Sequence, residues 1–247
     1  MSERPLIWMG CMHRNALKEL QKEMTKLLTR LGTDFETSEE EECCGFPLIL
    51  AGYTDEAAKF AKRNIDEIGG RKKVVTPCPA CFRAFNEFYP KLLGEKLPFR
   101  VLHMTQYYCE LLDKGVLKAS MLKPVKLNAM YHDPCELGRH SNIFDEPRRI
   151  LKLIPGLTLY EPRFTRNLSA CCGGGGLVSA YFPTLAVMAA SRKIEEEDRA
   201  PRDLQAIVTE CPQCVTNLKQ VWNRGEPLGI SVYNLAKILN MSLGDCG

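Results

Sequence analysis

Long apolar runs are missing from this 247-residue sequence. No uninterrupted stretch approaches the roughly eighteen apolar residues that a bilayer-crossing helix needs, so no membrane span is expected. Biased or single-sign tracts are missing too. Lys and Arg number 33 against 30 Asp and Glu, a formal net charge of +3 that counts every thiol as neutral. Ionised thiolates would lower that figure, which leaves little footing for a nucleic-acid partner. The opening Met1-Ser2-Glu3-Arg4-Pro5 lacks the basic and apolar regions of an export signal, so a cytoplasmic chain with reduced thiols is expected. The composition, 45% hydrophobic and 26% charged, is that of a globular protein. Its length allows one large domain or two small ones.

Cysteine is abundant, at twelve residues. Ten of them form one pattern written twice. The first half has Cys11, then Cys43-Cys44-Gly45, then Cys78-Pro79-Ala80-Cys81. The second has Cys135, then Cys171-Cys172-Gly173, then Cys211-Pro212-Gln213-Cys214. Equivalent positions lie 124 to 133 residues apart, as a diverged duplication would leave them. A disulfide framework belongs to short secreted domains and does not suit this chain.

The flanking patterns repeat as well. Leu6-Ile7-Trp8-Met9 leads to Gly10-Cys11, and Leu127–Tyr131 leads to His132-Asp133-Pro134-Cys135. Both read as buried strands with a cysteine at the carboxyl end. Apolar residues from Leu17 to Leu31 recur at helical spacing, with Gly32 as the stop and Lys18, Lys22, Lys26 and Arg30 on a solvated face. Thr54 is expected to cap a helix to Ile68, with a counterpart at 181–197. The β-branched runs at 73–76 and 205–209 predict strands, each followed by Cys-Pro-x-Cys and a helix, over 82–89 and 215–222. Each half closes with a strand–helix pair, at 99–102 and 105–112, and at 229–232 and 234–239. The expected fold class is therefore α/β: two modules, residues 1–122 and 123–247, each a small, mainly parallel sheet with flanking helices. The join falls at residues 120–124, with no long linker.

Ligands of open α/β sheets sit beyond the carboxyl ends of the strands, a rule that the cysteine positions fit in both halves. Pro79 and Pro212 suit a first helical turn, which aims free N–H groups and a positive dipole end at the sulfurs. Gly45, Gly173 and Gly174 allow close backbone approach to sulfur. Each set has one thiol more than a tetrahedral ion uses. A single Cys₄ zinc site would leave six patterned cysteines unexplained. A thioredoxin-type motif would explain one Cys-x-x-Cys only. Iron–sulfur chemistry fits the whole pattern.

This pattern resembles the CCG-domain proteins, specifically the B subunit of heterodisulfide reductase, over nearly the whole chain. Residues 131–156 (YHDPCELGRHSNIFDEPRRILKLIPG) and 170–176 (ACCGGGG) look like that family's second half. The resemblance implies two noncubane [4Fe-4S] clusters facing each other across a pseudo-twofold axis. Cys11, Cys43, Cys44, Cys78 and Cys81 would bind one; Cys135, Cys171, Cys172, Cys211 and Cys214 the other. It further implies disulfide reduction between the clusters. Electrons would come from a ferredoxin-like iron–sulfur subunit, itself fed by a flavin subunit. Ferredoxin-type cysteine runs and a dinucleotide fingerprint are absent from this chain, so it would be the catalytic subunit. The alternative is an electron-transfer subunit of a sulfur-oxidation, lactate/glycolate-oxidation or thiol–fumarate reductase complex. Glu136 departs from the histidine or aromatic residue of many relatives, which leaves the substrate open.

Other residues have two readings. His132 and Asp133 are candidate proton donors to a cleaved thiolate, against a hydrogen bond to a ligand sulfur or a strand-end structural role. Arg139, His140, Arg163 and Arg166 could offset cluster charge, but each also reads as a surface residue, and His13 is ambiguous in the same way. His103 reads as structural, Cys109 as a small core residue and Cys246 as an incidental terminal thiol. Phe82, Phe85, Phe88 and Tyr89 read as helix core.

Overall fold

The computed structural model describes residues 4–197, 201–222 and 230–244, so Cys246 lies outside the described residues. The first half supplies β1 (Leu6–Ile7), α1 (Lys18–Arg30), α2 (Phe46–Leu50), α3 (Thr54–Ile68), β2 (Lys73–Thr76), α4 (Pro79–Arg83), α5 (Tyr89–Leu93), β3 (Arg100–His103) and α6 (Met104–Asp113). The second supplies β4 (Leu127–Tyr131), α7 (Asp145–Leu151), β5 (Leu157–Tyr160), α8 (Val178–Tyr181), α9 (Pro183–Arg192), β6 (Ala206–Val208), α10 (Pro212–Trp222), β7 (Ser231–Tyr233) and α11 (Leu235–Leu243).

The strands form two parallel sheets, of order β1-β2-β3 and β5-β4-β6-β7. The expected α/β fold is present, and β1, β2 and β3 correspond in order to β4, β6 and β7. A fourth strand beside β1 is reduced to one parallel bridge, Leu6 to Glu36, closed by Ile7 N–H to Glu36 O at 2.8 Å and Glu36 N–H to Pro5 O at 3.0 Å. That bridge occupies the place β5 takes beside β4. Sequence reading missed β5 because Leu157-Thr158-Leu159-Tyr160 is an edge strand without a continuous buried face.

Several helix boundaries differ from expectation. Thr54 is the first helical residue, Tyr53 holds the cap position, and no side chain caps that end. The 181–197 helix is split: α8 ends at Tyr181, Pro183 begins α9, and a π turn follows over Lys193–Glu197. A proline at a first helical position is tolerated where a new helix starts. The helix expected over 82–89 runs from Pro79 to Leu93 through a π turn at Ala84–Phe88. Phe82, Phe85 and Tyr89 are core residues, as expected. His103 caps α6, accepting the N–H of Thr105 while Gln106 accepts the N–H of His103.

The halves interlock. Helix α1 buries Met24, Leu27 and Leu28 in a core shared with Leu127, Tyr131, Leu235 and Leu239. Its Leu20 packs into the second half's own core beside Met130 and Ile207. In return Leu137 and Ile143 pack into the first half's core beside Val74 and Phe85. Polar bonds fix α1 on α11: Glu23 accepts from Lys237 Nζ at 2.8 Å and from Asn240 Nδ2 at 2.7 Å. Arg30 belongs to this seam, not to a solvated face, and donates to Asn240 O at 3.1 Å. Lys18, Lys22 and Lys26 lie on the outer side of α1, away from these contacts. Cys109 is 7% exposed in the shared core.

One buried ion cluster holds the segment leading to Cys135. Arg148, 4% exposed, donates to both carboxylate oxygens of Asp133 at 2.7 Å, to Glu161, to Thr165 Oγ1 and to Phe144 O. Removing one partner of such a pair strands a buried charge. We predict that Arg148→Met loses about 3–5 kcal/mol in anaerobic denaturant unfolding. Arg149→Met, which removes an exposed bridge to Asp113, should leave the unfolding midpoint close to that of wild type. Equal losses would refute the structural role given to Arg148.

Candidate metal centre

Every patterned cysteine of the Cys-Pro-x-Cys and lone types lies just beyond a strand end or at a helix start. Cys11 follows β1, and Cys135 follows β4. Cys78 is the residue before α4, with Pro79 in its first turn, and Cys211 stands likewise before Pro212 of α10. The Cys78 sulfur accepts the S–H of Cys81 and then the backbone N–H groups of Cys81 and Ala80, which lower its pKa. The helix start thus points its unpaired donors at sulfur.

Within each half the sulfurs touch in one order. In the first, contacts run from Cys11 to Cys43, Cys44, Cys81 and Cys78. In the second they run from Cys135 to Cys171, Cys172, Cys214 and Cys211. The leading cysteine of each pair is the acidic one. S–H donation from Cys11 and Cys44 lowers the Cys43 pKa to about 3. Donation from Cys135 and Cys172 lowers that of Cys171 to about 2. Their donors are pushed up, Cys172 to about 12 by its bond to Cys171. Five sulfurs in a chain of contacts cannot all ionise without a cation among them.

The two sets open on one cavity of about 260 Å³. Nine of the ten cysteines line it, together with Met12, Phe46, Leu50, Glu136, Gly174, Leu177 and Gln213. Cys171 is the exposed member of its set and does not line the cavity. Glu136 pairs across the halves with Arg83 at 2.9 Å. Arg139, His140, Arg163 and Arg166 line no part of the cavity.

The backbone around each Cys-Cys pair is pinned by residues that sequence reading did not single out for this role. Asn64 Nδ2 donates to Cys43 O at 3.0 Å, and the Tyr89 hydroxyl donates to Cys44 O at 3.1 Å. In the second half Asn217 Nδ2 donates to Cys172 O at 2.6 Å and to Ala186 O at 2.9 Å. Glu41 accepts the N–H groups of Met9 and Gly10, both at 3.0 Å, ahead of Cys11. Only Asn217, three residues after Cys214 on the same helix, had a positional signal. Gly173 donates its N–H to Cys171 Sγ at 3.4 Å.

Of the proton-donor candidates, Asp133 is fully engaged. Beyond Arg148 its Oδ2 accepts from Thr165 Oγ1 at 3.1 Å and Arg166 N at 2.8 Å, which holds the carboxylate within that ion cluster. His132 is different. A ring nitrogen of His132 and the sulfurs of Cys172 and Cys214 lie within 4.8 Å of one another, and neither ring nitrogen has a hydrogen-bond partner among the described residues. His13 is buried and bonds Met9 O at 3.0 Å.

The cysteine-rich domain of the CCG type matches twice, at residues 6–86 and 129–219. The chain belongs to the CCG cysteine-rich domain family. One match falls in each sheet-bearing half, the first ending before β3 and the second before β7. The D subunit of dihydromethanophenazine:CoB–CoM heterodisulfide reductase from Methanosarcina barkeri is 38% identical over 78% of this chain and 48% of its own length. The B subunit of fumarate reductase (CoM/CoB) from Methanothermobacter marburgensis is 29% identical over 96% of this chain and 46% of its own. A probable iron–sulfur-binding oxidoreductase, FadF, from Bacillus subtilis is 31% identical over 86% of this chain and 30% of its own. The chain spans about half the length of the first two relatives. Among solved structures, glutamate racemase RacE1 from Bacillus anthracis aligns over 96% of this chain and 78% of its own at 13% identity and a TM-score of 0.40, too loose to bear on function. Among the described residues no helix is long and apolar enough to cross a membrane.

The glycines of the second CCG module give a sharp contrast. Gly173 has φ +80°, and a Cβ there would meet Ala186 O at 2.6 Å; at Gly175 a Cβ meets nothing within 4 Å. We predict that Gly173→Ala loses about 2 kcal/mol or more and part of the bound metal, from left-handed strain plus the clash. Gly175→Ala should stay within about 0.5 kcal/mol of wild type. Thermal unfolding with metal analysis checks both, and equal behaviour would contradict the close approach drawn here.

Proposed function

We propose that this chain is the catalytic iron–sulfur subunit of a heterodisulfide reductase-like complex, of the B-subunit kind. Cys11, Cys43, Cys44, Cys78 and Cys81 would hold one noncubane [4Fe-4S] cluster. Cys135, Cys171, Cys172, Cys211 and Cys214 would hold the second, with Gly45, Gly173 and Gly174 close against sulfur. The observation that carries this reading is the shared cavity walled by both thiol sets. A tetrahedral zinc ion uses four ligands, whereas each set offers five sulfurs in contact. Among the described residues the ring nitrogens of His132 have no partner, and one lies within 4.8 Å of the Cys172 and Cys214 sulfurs, which suits an acceptor held by the second set. The reading divides the chain at residues 1–122 and 123–247, and a cytoplasmic setting, where thiols stay reduced, suits it.

When bound, the clusters would supply the two electrons that cleave a disulfide, or take them when one forms. The chain's own groups shape the space for a two-sulfur substrate. Phe46, Leu50 and Leu177 make its apolar wall. Glu136, held by Arg83, places a compensated carboxylate at its edge. Asp133, locked by Arg148, fixes the turn that presents Cys135. A ferredoxin-like iron–sulfur partner would deliver electrons one at a time, fed by a flavin-bearing partner. The second reading is an electron-transfer module that never touches substrate. The likeness of EtfAB:quinone oxidoreductase from Syntrophomonas wolfei, 28% identical over 95% of this chain, favours keeping it.

Anaerobically purified protein should carry about eight irons and eight acid-labile sulfides per chain, and Cys78→Ala should lose about half of each. Zinc without sulfide would refute the cluster reading. Small disulfides added to reduced protein should perturb its EPR spectrum, and silence towards all of them would favour the relay.

A further inference from the structure

Trp8 and His132 are the same position of the duplicated fold. Each lies three residues before the first cysteine of its set. Each makes the same backbone bond to the middle strand: Trp8 N–H to Val75 O at 2.8 Å, and His132 N–H to Val208 O at 2.9 Å. Each is buried, at 0% and 1% exposure. Among the described residues each side chain carries polar nitrogen with no hydrogen-bond partner: Nε1 of Trp8, and both ring nitrogens of His132. An unpaired N–H in a protein interior costs on the order of 1–3 kcal/mol, and a native fold seldom keeps one without a purpose. Two orphans at equivalent positions are hard to ascribe to chance.

Both lie in the cysteine-bearing interior of their own half. Trp8 packs in one buried cluster with Cys44, Cys78 and Cys81. His132 has a ring nitrogen within 4.8 Å of the sulfurs of Cys172 and Cys214, the counterparts of Cys44 and Cys81. A histidine alone could be read as a sixth ligand. An indole N–H only donates and does not ligate metal. What the two residues share is therefore N–H donation, not coordination.

We propose that Trp8 and His132 are paired N–H donors to cluster sulfur, one in each CCG module, each setting the reduction potential of its own cluster. The inference rests on the iron–sulfur reading above. An N–H aimed at sulfur stabilises the more negative, reduced state and so raises the potential. Both are positioning residues, acting on the cluster and not on substrate. Because one donor is an indole and the other an imidazole, the two clusters are tuned separately.

The test is an anaerobic redox titration followed by EPR on wild type, Trp8→Phe and His132→Phe, with iron and sulfide measured on each. Both variants should keep wild-type iron and sulfide. Each should shift one midpoint potential to a more negative value and leave the other unmoved, a different one in each variant. Unmoved potentials at full iron content would overturn the proposal. Should a variant lose its iron, wild-type protein labelled with ¹⁵N-tryptophan or ¹⁵N-histidine decides the matter by electron–nuclear double resonance. Weak ¹⁵N coupling to a cluster supports donation; no coupling, or a coupling of ligand size from histidine, overturns it. Wild type without acid-labile sulfide would instead remove the iron–sulfur reading itself.

Discussion

Five sulfurs in contact, half-enclosed by protein, form the constraint around which each half is arranged. Once Cys43 or Cys171 gives up its proton, its neighbours hold theirs more tightly. Only a positive centre among the sulfurs lets the whole set act as thiolates. The fold supplies what such a centre needs. Parallel strands end together at one edge and deliver Cys11 and Cys135 there. Helix starts bring Cys78 and Cys211 in with unpaired N–H groups. Buried amides fix the carbonyls of the Cys-Cys pairs. The exchange of α1 for the segment around Leu137 then ties the two edges so that both face one cavity.

Duplication gave the halves one plan, and divergence gave them different fittings. Asn64 comes from α3, whereas Asn217 comes from α10, yet both hold the carbonyl of a Cys-Cys residue. The turn before Cys11 is held by the Glu41 carboxylate, and the turn before Cys135 by the Asp133–Arg148 pair. Pro77 precedes Cys78, while Cys211 follows Glu210, a buried carboxylate that accepts the N–H of Leu235 and is pushed up to about 8 by desolvation. The two sites therefore present similar sulfur sets in unlike electrostatic surroundings.

The spacing of the cysteines was legible because ligand positions are tied to strand ends and helix starts, which leave short motifs. The strands of the middle and the helix after each Cys-Pro-x-Cys were legible for the same reason. Leu157–Tyr160 was not, since an edge strand buries too little to show a period. The bridge at Glu36 is a single residue pair and has no sequence pattern at all. Arg30 looked like part of a lysine-rich face until α11 was seen to cover it. Asn64, Tyr89 and Glu41 act on backbone atoms far along the chain, a relation that only the folded arrangement reveals. The equivalence of Trp8 and His132 emerged from their matching backbone bonds, and their lack of partners among the described residues has no sequence signal.

The central claim is that each five-thiol set encloses iron and sulfide. X-ray absorption at the iron and zinc edges of anaerobically purified protein tests it most directly. The account predicts iron with sulfur as its nearest neighbours and a short iron–iron distance beyond them. Zinc surrounded by sulfur, with no metal–metal scattering, would contradict it.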